Sequence, residues 1–99
     1  MKLKESEKLE LKKSTSEIKE AVISIVAILN KHKKGELYFG INNDGAIIGL
    51  TITQKTIRDV SRAISEHIEP KIYPKVEKVT IESEHCIKVE FQGEDTPYF

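Results

Sequence analysis

The stretch from Lys33 to Gly49, which glycines divide into short segments, constrains the fold of this chain more than any other. Gly35 follows a long amphipathic segment and is predicted to end a helix there, because glycine readily takes the left-handed conformation. The hydrophobic residues that follow alternate along one strand face: Leu37, Phe39 and Ile41. Asn43–Gly45 tolerates positive φ, so it predicts a tight turn into Ile47–Ile48. A helix followed by a hairpin is expected.

Two further patterns precede this stretch. Residues 8–12 alternate Lys-Leu-Glu-Leu-Lys, which predicts a short strand with Leu9 and Leu11 facing inward and Glu10 and Lys12 facing outward. Ser14–Glu17 has the spacing of a capping box and is expected to begin the first helix. Its buried face recurs at helical spacing: Ile18, Ala21, Val22, Ile25, Ile28 and Leu29.

The second half of the chain predicts another helix and two strands. Thr51 or Thr53 is expected to cap the helix, and Pro70 to end it. Two alternating runs, joined across residues 82–85, have the hydrophobic positions Val76, Val79, Ile81, Ile87, Val89 and Phe91. The predicted order is β-α-β-β-α-β-β: a two-layer α/β (α+β) sandwich whose mixed or antiparallel sheet carries both helices on one face. Residues 94–99 are expected to fray.

Length and charge limit the function classes. The 99 residues suffice for one domain, and 16 basic residues balance 16 acidic ones, which argues against a uniformly basic surface. Residues 1–35 nevertheless hold nine lysines and five glutamates, whereas residues 36–99 hold seven Lys/Arg and eleven Asp/Glu.

The single cysteine, Cys86, is interpreted as a packing residue. No segment resembles a signal peptide or membrane helix, so a cytoplasmic protein without a membrane partner is expected.

A lysine-rich set is the strongest binding candidate in the sequence: Lys12, Lys13, Lys31, Lys33 and Lys34. Clustered ammonium groups bind phosphates because each contact releases condensed counterions. An alternative interpretation is that lysines at a helix C-terminus only complement the helix dipole. The chain has no Trp and 6% aromatic residues, which argues against a stacking platform for single strands. The spacing of His and Cys supports no metal site, and no motif indicates a cofactor.

Several of these segments together resemble the Alba-like DNA-binding domain of the Schlafen group. The resemblance rests on Glu5, Glu10 and Lys12, on residues 30–40 and on Gly45–Gly49. That domain occurs in Schlafen proteins and at the N-terminus of prokaryotic transcriptional regulators and ATP-binding proteins. The resemblance implies that residues 1–99 form one such domain, excised from the N-terminal part of a longer protein. It also implies binding of DNA or RNA, with the other domains of the parent protein as partners.

The resemblance also raises the question of catalysis. In eukaryotic Schlafen nucleases, the acids that match Glu5 and Glu10 join a hairpin aspartate in a metal-dependent site. Asn43 stands at that third position here, and Asp44 beside it is better explained by the turn, so no enzymatic activity and no bound metal are expected. The alternatives are an oligomerisation or docking module without nucleic-acid affinity, including a homo-oligomer, and a nuclease that uses Glu5, Glu10 and Asp44.

Overall fold

The computed structural model describes residues 3–99, and this part of the chain contains four strands and two α-helices. In chain order they are β1 (Leu9–Lys12), α1 (Ile18–His32), β2 (Lys34–Phe39), α2 (Gln54–Glu66), β3 (Lys75–Ile81) and β4 (Glu84–Gln92). A 3-10 turn, Thr15–Glu17, precedes α1. The strands form one mixed sheet in the order β1-β2-β4-β3, in which only β1 and β2 are parallel. The predicted α/β sandwich is confirmed.

Both helices pack against the same face of this sheet. The main core joins buried residues of α1 and α2 to the inward residues of the central strands: Leu37, Phe39, Ile87, Val89 and Phe91. The opposite face, which we call the open face, carries a smaller cluster of Leu11, Ile41 and Cys86, each 0% exposed. Cys86 is thus a packing residue, as predicted.

The orientation of β1 differs from the prediction in one respect. Leu11 is buried, but it lies in the open-face cluster rather than beneath the helices. The parallel register places Glu10 beside Leu37 and Lys12 beside Phe39, so Glu10 and Lys12 share the helix-covered face. Alternation identified the two faces of β1 correctly, but which face the helices cover depends on the neighbouring strand.

The residues that begin and end α1 differ from the predicted ones. Ser14 caps the 3-10 turn by accepting a hydrogen bond from the amide of Ser16 (3.1 Å), and α1 itself begins at Ile18. Lys33, not Gly35, takes the left-handed conformation after the helix, with φ 69° and its N–H donating to the Leu29 carbonyl at 2.9 Å. The prediction that Gly35 ends the helix is wrong, since Gly35 lies inside β2.

The predicted hairpin is present in a reduced form. The amide of Asn42 donates to the Ala46 carbonyl at 2.8 Å, and Gly45 has φ 88°. Asp44 accepts a hydrogen bond from the Ala46 amide at 2.9 Å, the turn-forming role expected of it. The returning arm pairs with the outgoing one only through an isolated bridge between Ile41 and Ile47, so it adds no strand to the sheet.

The C-terminal residues are docked, so the prediction that residues 94–99 fray is wrong. Tyr98 is 3% exposed and belongs to the main core. The side-chain amide of Asn30 donates to the Tyr98 carbonyl (2.9 Å) and accepts from the Tyr98 amide (2.6 Å). Phe99 and Glu69 exchange two backbone hydrogen bonds of 2.7 and 2.8 Å. This segment therefore closes one end of the main core.

Candidate nucleic-acid interface

The structure divides the predicted lysine set into two groups. Lys12 lies beside Phe39, the last residue of β2, whereas Lys34 is the first residue of β2. The two ends of β2 are five residue steps apart, about 17 Å at the usual rise of roughly 3.3 Å per residue. Lys12 and Lys13 therefore lie at one end of the sheet, and Lys31, Lys33 and Lys34 lie at the other.

The second group surrounds the C-terminus of α1. Lys31 pairs with Glu7 at 3.0 Å, and the hydrogen bond from Lys31 lowers the pKa of Glu7. Lys33 pairs with Glu94 at 3.7 Å, with side chains 55% and 83% exposed. Solvent screens such exposed pairs and they add little to stability, so a phosphate can replace the carboxylate at low cost. Lys34 is exposed and forms no ion pair with any residue in the range 3–99.

Lys34 also lines a shallow depression of about 540 Å³ at this end of the sheet. Two other lysines line it, Lys8 before β1 and Lys75 at the start of β3, so three lysines from distant parts of the sequence converge. Tyr73, with 87% of its surface exposed, also lines the depression. Sequence reasoning missed Lys8, Tyr73 and Lys75 because only the pairing of the strands brings them to Lys34.

Two carboxylates that line the depression, Glu36 and Glu90, share one lysine of the sheet. Lys88 lies 3.2 Å from Glu36 and 3.1 Å from Glu90. Hydrogen bonds to Glu90 and Glu36 raise the pKa of Lys88 above its ordinary value, so it stays protonated at neutral pH. Because Lys88 balances one of the two negative charges, the three lysines of the depression face a single uncompensated carboxylate and keep a positive excess.

The acidic pair expected from the family resemblance is assembled on the other side of the sheet. The amide of Leu11 donates to both carboxylates, at 3.3 Å to Glu5 and 3.2 Å to Glu10. Hydrogen bonding to the Glu10 carboxylate favours the protonated form of Glu5 and raises the pKa of Glu5. Burial opposes ionisation of Glu10, but the hydrogen bonds that it accepts from Glu5 and Ser24 outweigh burial and lower its pKa.

Lys12 is close enough to act electrostatically on both carboxylates, so the three residues of the resemblance lie together. Asn43 and Asp44 are exposed in the hairpin. Across residues 3–99, no three His, Cys, Asp or Glu side chains form a group that could hold a metal ion. The structure therefore does not bring Asp44 to the acidic pair.

In the same range of residues, 3–99, no helix is long and apolar enough to cross a bilayer.

Comparison with solved structures supports the fold. The crystal structure of the DIP2311 protein from Corynebacterium diphtheriae matches 99% of this chain with a TM-score of 0.74 and 16% identity. The solution structure of the N-terminal domain of a RecG-related, helicase-like protein from Nitrosomonas europaea matches 94% of the chain with a TM-score of 0.66 and 20% identity. The chain spans 20% of the first of these structures and 67% of the second.

Sequence comparison establishes the family. No curated protein matches the chain. The family model for Schlafen, AlbA_2 matches residues 5–99, which begin at the first acid of the pair and include every element of the fold. This protein therefore belongs to the Schlafen, AlbA_2 family.

Proposed function

We propose that this chain is the nucleic-acid-binding module of a larger protein, a transcriptional regulator, and that it binds phosphates through the lysines at the C-terminal end of α1. The observation that carries the proposal is the convergence of Lys34 with Lys8 and Lys75, beside the exposed Lys31 and Lys33. Lysines from separate elements share this end although the net charge of the chain is zero. Such local charge attracts a polyanion independently of base sequence.

Family membership supports this proposal, and so does the likeness to the N-terminal domain of a helicase-like protein. DNA is the proposed ligand, with RNA tested beside it. Lys12 and Lys13 are too far from Lys34 for the same phosphate contact and are proposed as a separate, weaker one. No hydrolysis step is proposed, because Asp44 is engaged in its turn and Asn43 supplies no charge.

The test is the salt dependence of binding. Fluorescence anisotropy should give affinities for duplex DNA, single-stranded DNA and structured RNA at several salt concentrations. Each lost phosphate contact flattens the slope of log K against log [salt] by roughly one unit, so the double variant Lys33→Gln/Lys34→Gln should flatten it by about two.

A matched control removes the same charge elsewhere. Lys19 at the start of α1 and Lys78 in the middle of β3 are exposed and do not belong to the group of Lys31, Lys33 and Lys34. The double variant Lys19→Gln/Lys78→Gln should therefore leave the slope nearly unchanged. Equal slopes for all three proteins would exclude Lys33 and Lys34 from the interface. Self-association of the chain with no affinity for any nucleic acid would favour a docking module instead.

A further inference from the structure

We propose that Tyr73 and the adjoining depression form a binding site for an unpaired nucleotide of a single-stranded nucleic acid. The base would stack on the ring of Tyr73, and the neighbouring phosphates would contact Lys34 and Lys75. This inference rests on the proposed function, which concerns phosphates alone, and adds a preference for strands whose bases are free. It reverses the expectation that the low aromatic content argues against stacking.

The ring of Tyr73 is exposed, but its backbone is held in place. It is 87% exposed, whereas Tyr98 is 3% exposed within the core. On one side of Tyr73, Ile72 is 4% exposed and anchored in the core; on the other, Pro74 leads directly into β3. A residue before proline has restricted backbone freedom. The ring is therefore presented at the rim of the depression with little loop to order on binding.

The charges around the ring suit a phosphate chain. Lys8 and Lys34 form no ion pair within the described part of the chain, and Lys75 forms an exposed one with Glu77 at 3.6 Å. The depression, at about 540 Å³, lies within the 300–1,000 Å³ typical of small-ligand sites. A base inside a duplex cannot place its face on a protein ring, whereas a single-stranded base can. Aromatic and cationic groups together are the usual means of binding single strands.

The first experiment separates stacking from charge. It compares a single-stranded oligonucleotide with an abasic one of the same length and with a duplex. Stacking is worth roughly 1–3 kcal/mol per base, so Tyr73→Ala should weaken single-strand binding about fivefold or more. The same variant should bind the abasic strand and the duplex with unchanged affinity. Phe99→Ala removes another ring, 75% exposed, that does not line the depression, and should change nothing.

The second experiment detects the stack directly. The chain contains no Trp, so Tyr73→Trp introduces a single reporter that should keep single-strand affinity. Its fluorescence should be quenched by the normal strand but not by the abasic one. DNA and RNA strands, tested in parallel, show which sugar the site accepts.

The results separate the two proposals. Equal binding of normal and abasic strands by the natural chain, or an unchanged affinity in Tyr73→Ala, would overturn the stacking site. Salt-dependent duplex binding would meanwhile leave the proposed function standing. If the natural chain binds none of the probes at low salt, both proposals are overturned.

Discussion

Gly35 sets how closely α1 and the N-terminal segment approach β2. A Cβ at this position would lie 2.6 Å from the Ile28 side chain and 2.8 Å from the carbonyl oxygen of Lys8. The oxygen belongs to the backbone, and the Glu36 amide donates a 2.8 Å hydrogen bond to it, so it cannot move freely. The missing side chain is therefore a packing requirement, and the backbone freedom of glycine is not what the position uses.

Substitutions at two neighbouring positions test this distinction. Gly35→Ala should lower the free energy of unfolding by about 1–3 kcal/mol, the usual cost of overpacking. Lys33→Gly should raise it by roughly 0.5–1 kcal/mol, since glycine takes φ 69° without strain and the exposed pair with Glu94 contributes little. Urea denaturation measures both changes. An unchanged free energy of unfolding in Gly35→Ala would show that α1 and the N-terminal segment can move away from β2 at little cost.

The sequence alone could not distinguish these roles of glycine. A glycine shortly after an amphipathic segment fits a helix terminator, and no local pattern reports a contact with Ile28 or Lys8. Lys33 adopts the left-handed conformation because β2 must begin at the next residue. The requirement comes from the tertiary fold, which overrides the local preference.

At the scale of elements, the C-terminal segment is held by α1. Asn30 forms two hydrogen bonds with the backbone of Tyr98, 68 residues away. The Tyr98 hydroxyl accepts a hydrogen bond from the Asp95 amide at 3.0 Å and fills the space above Gly93. These contacts explain why a short polar segment without regular structure is docked.

Asn30→Ala should therefore destabilise the chain. It removes two hydrogen bonds and leaves part-buried backbone groups unpaired, which costs about 1–3 kcal/mol. The amides of Tyr98 and Phe99 should exchange with solvent faster, as hydrogen exchange by NMR would record. Ile23→Ala, on the exposed side of the same helix, should change stability by less than about 0.5 kcal/mol. If exchange at Tyr98 does not change, Asn30 is not the anchor.

The helices and strands could be predicted wherever the pattern that specifies them lies within a short stretch of sequence. Periodicity located both helices and the four strands, and Thr53 caps α2 through reciprocal hydrogen bonds with Thr56. In the pairing order β1-β2-β4-β3, the partners in β2 and β4 lie between 48 and 58 positions apart in the sequence, and no local pattern encodes that pairing. The prediction of a strand in the second arm of the hairpin was wrong for a related reason. The amide of Leu50 donates a hydrogen bond to the His85 carbonyl, so the pairing at Ile47 does not extend into a strand.

For the whole molecule, the sheet separates two kinds of chemistry. The Glu5–Glu10 pair lies with Lys12 on the helix-covered side, and the depression with Tyr73 lies at one end of the open face. The family resemblance identifies the acidic pair from sequence alone, because its motif lies within eight residues. The depression depends on the strand order, and for that reason no sequence pattern points to its aromatic residue.

The same separation bears on catalysis. Hard divalent cations such as Mg²⁺ prefer several oxygen ligands, and the hydrogen bond with Glu10 raises the pKa of Glu5, which disfavours a second full negative charge beside Glu10. Asp44, the remaining candidate, accepts a hydrogen bond within its own turn. We therefore expect the purified chain to leave structured RNA and duplex DNA intact with Mg²⁺ or Mn²⁺, as gel electrophoresis over hours would show.

Asn43→Asp examines whether one added charge alters this outcome. A carboxylate at the hairpin position should strengthen Mn²⁺ binding, measured by calorimetry, only if the turn can approach the acidic pair. Glu10→Gln in the same background is the matched control and should abolish any gain, because it removes the carboxylate whose pKa is lowered and which therefore holds its negative charge more readily. Cleavage by the unmodified chain that is lost in both Glu10→Gln and Asp44→Asn would show that the domain is a nuclease and that Asp44 completes its site.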